Sequence, residues 1–268
     1  MKQQLIMLGT GSAMVTKCYN TCYAIRIEEE YLLVDAGGGN GIFVQLEEAH
    51  IPYTNIHHMF LTHGHTDHIL GAIWMIRKIA ALMEQGKYEG KFSIYCHDEV
   101  AHMLHTFCDM TLTSKLLQYI GQRIQIEIVE NGETRQTKYL QLQFFDIFST
   151  KAKQFGVRVV LPDGQNIAIL GDEPYNPKCQ SYVKDSDWLL SEAFCLYEHR
   201  EQFKPYEKNH STALDAGKLA SELNVKNLLL YHTEDTYLST RKDTYTKEAK
   251  QYFKGNVYVP DDLEVITL

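Results

Sequence analysis

The stretch Leu61-Thr62-His63-Gly64-His65-Thr66-Asp67-His68 decides the reading of this chain. It places three imidazoles and one carboxylate, Asp67, into a short loop between two apolar runs. Residues 59–61 read as the end of a strand. Residues 69–85 read as a packed helix, because their apolar side chains recur at three- and four-residue spacing. Neutral imidazole nitrogen and carboxylate oxygen are good ligands for Zn²⁺ and similar divalent ions. On a strand-to-helix loop, His63 and His65 can converge on one ion while Asp67 and His68 face a second. A solvated His-rich loop, the bland alternative, does not account for so tight a pattern in that setting.

On either side, short β runs alternate with helical runs. Candidate strands cover residues 5–8, 22–27, 31–34, 92–96, 124–129, 140–147, 157–161, 167–170, 188–190, 228–231, 257–259 and 264–267. Candidate helices cover 41–49, 99–107, 112–120, 212–223 and 241–253. The polar segment 130–138 is the best seam. It divides a single expected domain, 1–268, into halves of about 1–133 and 134–268. Many strands with few helices suggest an α/β fold of two packed sheets with helices outside.

The chain has 268 residues and a formal net charge of -8, which argues against a broad duplex-tracking surface. Six cysteines include no Cys-x-x-Cys pair, so a thiolate zinc ribbon is not expected. No signal-peptide pattern opens the sequence and no apolar run reaches membrane-spanning length. The expectation is a reducing, cytoplasmic setting, with no membrane partner and with the cysteines acting as small apolar residues.

Four further segments carry a resemblance. Leu8-Gly9-Thr10-Gly11-Ser12-Ala13, Val34-Asp35-Ala36-Gly37, Leu170-Gly171-Asp172 and Leu230-Tyr231-His232, taken with the His loop, resemble the metallo-β-lactamase superfamily over nearly the whole chain. The resemblance implies a four-layer αββα sandwich, with the site at one edge between the sheets. It implies two divalent ions, Zn²⁺ first and Mn²⁺ or Fe²⁺ as alternatives. It implies His63, His65, Asp67, His68, Asp172 and His232 as ligands, with Asp172 bridging and Asp35 supporting the loop from behind. Ser191-Glu192-Ala193-Phe194 and His210-Ser211-Thr212-Ala213 resemble ribonuclease Z and related phosphodiesterases. That likeness implies that Glu192 orients His210, which protonates the leaving group or contacts the phosphate. A neighbouring carboxylate raises an imidazole's pKa and suits it to general-acid work.

The chain departs from that pattern twice. The family carries another ligand His some six residues before a Gly, and residues 148–156 here hold none. Ser149 or Thr150 offers only a weak hydroxyl in its place, with a water or His97, at the end of the strand 92–96, as the other candidates to complete the shell, so the ion at His63 and His65 is expected to be weakly held or missing. Residues 156–172 also leave barely room for a hairpin, so the long tRNA-gripping arm is absent. Lys151, Lys153 and the Gln154 amide are candidates for phosphate contacts, and the basic-aromatic segment 197–208 is a candidate substrate lid.

The expected function is therefore metal-dependent hydrolysis of a small or single-stranded phosphodiester. Asp67 orients the attacking water, and His210 with Glu192 assists the leaving oxygen. Ester, lactone or thioester hydrolysis and a metal- or nucleotide-binding sensor are the alternatives. Homodimerisation is common among ribonuclease Z relatives and is carried as an expectation.

Overall fold

A computed structural model describes residues 1–268. The chain forms two compact units. The first comprises Met1–Gly9, Tyr19–Val129 and Asp262–Leu268; the second comprises Thr10–Cys18 and Glu130–Asp261.

The first unit holds a seven-stranded sheet ordered β14-β1-β2-β3-β4-β5-β6. Its strands are β1 (Gln3–Gly9), β2 (Cys22–Ile27), β3 (Glu30–Val34), β4 (Ile56–Phe60), β5 (Phe92–Cys96), β6 (Ile124–Ile128) and β14 (Val265–Thr267). From β14 to β3 the pairing is antiparallel, and from β3 to β6 it is parallel. Parallel neighbours need long crossovers. Helices α1 (Gly41–Glu48), α2 (Thr66–Glu84) and α3 (Asp98–Thr111), with the short α4 (Ser114–Leu117), supply them. Ile69, Ala72, Met75, Ile76, Ile79, Ala80 and Met83 form the buried stripe of α2. They pack in one core with alternate strand residues such as Leu33, Met59, Phe92 and Ile94. Gly71 brings α2 against the turn after β3: a Cβ there would lie 1.8 Å from the Ala36 carbonyl oxygen. Its amide donates to the Gly37 carbonyl at 2.9 Å.

The second unit follows the same plan, ordered β13-β12-β11-β10-β9-β8-β7. Strands β7 (Thr134–Gln136), β8 (Gln141–Asp146), β9 (Phe155–Val160) and β10 (Asn166–Ile169) are antiparallel. From β10 through β11 (Trp188–Glu192), β12 (Asn227–Tyr231) and β13 (Asn256–Tyr258) the pairing is parallel. The short helices α5 (Gln180–Val183) and α6 (Arg200–Phe203) precede the longer α7 (Ala213–Glu222) and α8 (Arg241–Ala249). Thr212 opens α7 with a capping box, its hydroxyl and the Asp215 side chain satisfying each other's backbone N–H. Tyr245, Ala249, Ala213, Ala216 and Ala220 pack α7 and α8 onto Leu189, Leu228 and Leu230.

Three expectations change in detail. The polar seam contains an edge strand, β7, whose residues are largely exposed. The helix expected over 112–120 shrinks to α4, because Arg123 and Ile124 both return hydrogen bonds to the Tyr119 carbonyl and turn the chain there. The segment 197–208 is built of three short turns, Tyr197–His199, α6 and Tyr206–Lys208. None of the six cysteines forms a disulfide, and five are buried. No helix is long and apolar enough to cross a membrane.

Candidate metal centre

In each unit the chemistry gathers at the carboxyl ends of parallel strands, the usual place for ligands in sheets of this kind. In the first unit, β3 is followed directly by Asp35, whose backbone takes the left-handed conformation with φ of 55°. Its carboxylate organises the loop after β4. Oδ1 accepts the Thr62 amide at 2.9 Å and Oδ2 accepts the Thr62 hydroxyl at 2.8 Å. His68 Nδ1 lies 2.8 Å from the same Oδ2. A hydroxyl that donates to Asp35 must accept from His63, whose Nδ1 is 2.9 Å away. The neutral rings of His63 and His68 therefore carry their proton on Nδ1 and present Nε2 as a lone pair, the form a metal needs.

His63 Nε2 lies 2.8 Å from His65 Nδ1, and Asp67 Oδ2 lies 3.4 Å from His68 Nε2. Burial opposes a charged His68 ring, but Asp35 and Asp67 outweigh it and hold its pKa well above the ordinary imidazole value. A positive charge is favoured at this point, and a cation can supply it. His63, Asp67 and His68 are buried, and His65 is partly so.

The second unit brings together Asp172, His210 and His232, whose ligand atoms all lie within 4.8 Å of one another. Asp172 follows β10, and His232 Nε2 is 3.5 Å from its Oδ2. His232 leaves β12 with φ of 57°, a second left-handed position. The residue after it is anchored by Arg241, which is buried. Arg241 Nη1 donates to the Thr10 and Thr233 hydroxyls at 3.0 and 2.8 Å, and Nη2 donates to the Pro260 carbonyl at 2.8 Å.

His210 stacks on Phe194 with centroids 4.9 Å apart. Its Nδ1 lies 2.8 Å from the Asp172 carbonyl oxygen and 3.4 Å from Glu192 Oε2. Burial works against its charged form. The hydrogen bond and charge of Glu192, with the charge of Asp172, overcome that and raise its pKa, while Lys151 opposes them. Glu192, the buried last residue of β11, also accepts the Ser211 amide and so fixes the entry to α7.

The weaker candidates separate. Thr150 accepts the Asn209 side-chain amide at 2.7 Å, and Lys151 Nζ donates to the Lys208 carbonyl, so this loop is tied to the segment that leads into His210. Ser149 accepts the Lys151 amide at 3.3 Å, and Lys153 lies over the Phe155 ring at 5.5 Å. His97 is buried at the N-cap of α3, its Nδ1 3.7 Å from Asp98 Oδ1. His102 and His105 are exposed on α3.

Sequence reasoning took the Gln154 amide only as a candidate phosphate contact, and missed its hold on Asp172 and the linking role of Thr62. Gln154 is fully buried and bonds to Asp172 through both amide atoms: Nε2 donates to Oδ1 at 2.6 Å, and Oε1 accepts the Asp172 amide at 3.2 Å. The one signal for it is a polar amide standing directly before an apolar strand.

A divalent ion suits these donors. They are imidazole nitrogens and carboxylate oxygens, mostly buried, with outer hydrogen bonds that fix which ring nitrogen of His63 and His68 is left to face a cation.

The chain is similar to ribonuclease Z of Phocaeicola vulgatus, 23% identical, with 98% of this chain and 97% of the relative aligned. It also resembles the crystal structure of the metallo-beta-lactamase fold protein YhfI from Bacillus subtilis, with TM-score 0.80, 19% identity and 99% of each chain covered. Human tRNase Z, short form, superimposes with TM-score 0.76 at 20% identity, covering 98% of each chain. These likenesses establish the metallo-β-lactamase fold expected from the sequence. A family model described as Anti-Pycsar protein Apyc1 matches residues 3–255.

Proposed function

This chain belongs to the Anti-Pycsar protein Apyc1 family, and on that premise we propose that it is a metal-dependent phosphodiesterase acting on a small diester. The ligands would be His63, His65, Asp67, His68, Asp172 and His232, and the ions would be zinc or a similar divalent metal. Bound ions would polarise the phosphoryl oxygens and bring the pKa of a water toward neutrality. Asp67 would accept the proton of the attacking water and hold its orientation. His210 would give a proton from Nε2 to the departing oxygen, its Nδ1 being fixed by the Asp172 carbonyl. Glu192 would keep that imidazole protonated and in place.

The observation that carries the reading is the setting of His210. A stacked, hydrogen-bonded imidazole with a raised pKa beside a metal-competent carboxylate is suited to protonating an alkoxide. Alkoxides are the poor leaving groups of phosphodiesters. The net charge of -8 and the short connection between β9 and Asp172 support a small substrate over a folded RNA. Activity in the cytoplasm is part of the same reading.

The test is a panel of bis(p-nitrophenyl) phosphate, a cyclic mononucleotide, a short single strand, precursor tRNA, a lactone and a β-lactam, each with Zn²⁺ and with Mn²⁺. Turnover of the small diesters, with poor cleavage of precursor tRNA at physiological salt, is expected. Efficient tRNA 3′ processing, or preference for the lactone, would overturn the reading.

A further inference from the structure

We propose that Gln154 is a positioning residue that fixes the Asp172 carboxylate for metal binding; the inference rests on the reading of Asp172 as a ligand. One amide closes on both the side chain and the backbone of the same residue. Its Nε2 donates to Asp172 Oδ1 and its Oε1 accepts the Asp172 N–H. Rotation of the carboxylate is arrested, with Oδ1 held by the amide and Oδ2 on the His232 side. Gln154 is itself anchored, because its carbonyl accepts the Ile147 amide at 3.1 Å.

Gly171 makes the space. A Cβ at that position would lie 2.2 Å from Gln154 Oε1. Its backbone is not among the left-handed glycines, so the amide rather than the backbone conformation calls for glycine there. The residue type also fits. A carboxylate at 154 would repel Asp172 at this distance, and a lysine or arginine would neutralise the charge that attracts the ion. An amide does neither, and both of its ends are satisfied, which removes the cost of burying it. Outer hydrogen bonds of this kind orient metal ligands, and their loss weakens binding by about 10–100-fold.

The experiment titrates Zn²⁺ into metal-free protein by competition calorimetry and records thermal melts alongside. The variants are Gln154→Met, Gly171→Ala, Asp172→Asn and, as a packing control beside the amide, Ile147→Val. Gln154→Met and Gly171→Ala are each expected to weaken Zn²⁺ by about 10–100-fold. Ile147→Val should lower the melting temperature and leave the affinity unchanged. If Gln154→Met does not fold, Gly171→Ala displaces the same amide and gives the same answer. Wild-type affinity in both, with Asp172→Asn weakened, overturns the role of Gln154 alone. Wild-type affinity in Asp172→Asn overturns Asp172 as a ligand, and the positioning role falls with it.

Discussion

His68 Nδ1 lies 2.8 Å from Asp35 Oδ2, and that contact fastens the first turn of α2 to the end of β3. The same carboxylate holds Thr62, and through Thr62 it sets the ring of His63. One residue thus governs two imidazoles without being adjacent to either in sequence.

Asp35→Asn should therefore weaken Zn²⁺ by about 10–100-fold. The amide cannot accept from Thr62 and His68 together, and each buried group left unpaired costs about 1–3 kcal/mol. Metal titration and thermal melts of the metal-free protein check the two effects separately. Unchanged affinity would show that the His tautomers are set elsewhere.

His210→Ala should retain its metal and lose about 10²–10⁴-fold in turnover of a diester with a poor leaving group, the usual span for general acid–base catalysis. p-Nitrophenolate needs little protonation, so the loss on that substrate should be much smaller. Glu192→Gln should show the same pattern more mildly, and His68→Ala should lose metal and activity together. Loss of metal from His210→Ala would instead make that imidazole a ligand, as its place beside Asp172 and His232 allows.

Donor counting predicts unequal loading. Asp67, His68, Asp172 and His232 would give one ion four protein ligands, whereas His63, His65 and a shared Asp172 would give the other three. Dialysis against a weak chelator should remove the second ion first, leaving about one per chain by elemental analysis. Two equal affinities on metal-free protein would contradict this.

Glu248 supplies a pH signature away from the site. Burial, helped by the charges of Glu198 and Asp215, pushes its pKa above the ordinary glutamate value against the pull of the Tyr197 and Leu214 amides that it accepts. A raised folded-state value means the native protein binds the proton more tightly than the unfolded chain. The stabilising contribution is full below the unfolded pKa and is lost as pH rises through the folded one. Glu248→Gln keeps an oxygen for the two amides and has no such loss. Its melting temperature relative to wild type should therefore climb as pH rises from acid toward neutral. A difference that stays flat with pH would contradict the assignment.

The fold was legible where side-chain pattern and backbone agree. The strand Cys22–Ile27 and the strand Phe92–Cys96 announce themselves as apolar runs bounded by turn residues. β7 did not, because Thr134–Gln136 is a polar edge whose pairing with β8 leaves no apolar face to mark it. Residues 112–120 read as helix because Leu116, Leu117 and Ile120 are helically spaced. Their apolar side chains pack a turn onto the core instead. At the site, ligand-type residues stood out by chemistry alone. Gln154 did not, since an amide belongs to no ligand pattern and its partner lies 18 positions away.

The two units exchange segments: Thr10–Cys18 lies with the second unit and Asp262–Leu268 with the first. During synthesis the first sheet therefore waits for Val265–Thr267 to leave the ribosome, since β14 borders β1. A chain stalled after β6 would carry the histidine loop on a sheet with one border still unpaired. Neither unit is a severable cassette: a gene cut after Val129 would encode a first sheet without β14 and a second unit without Thr10–Cys18.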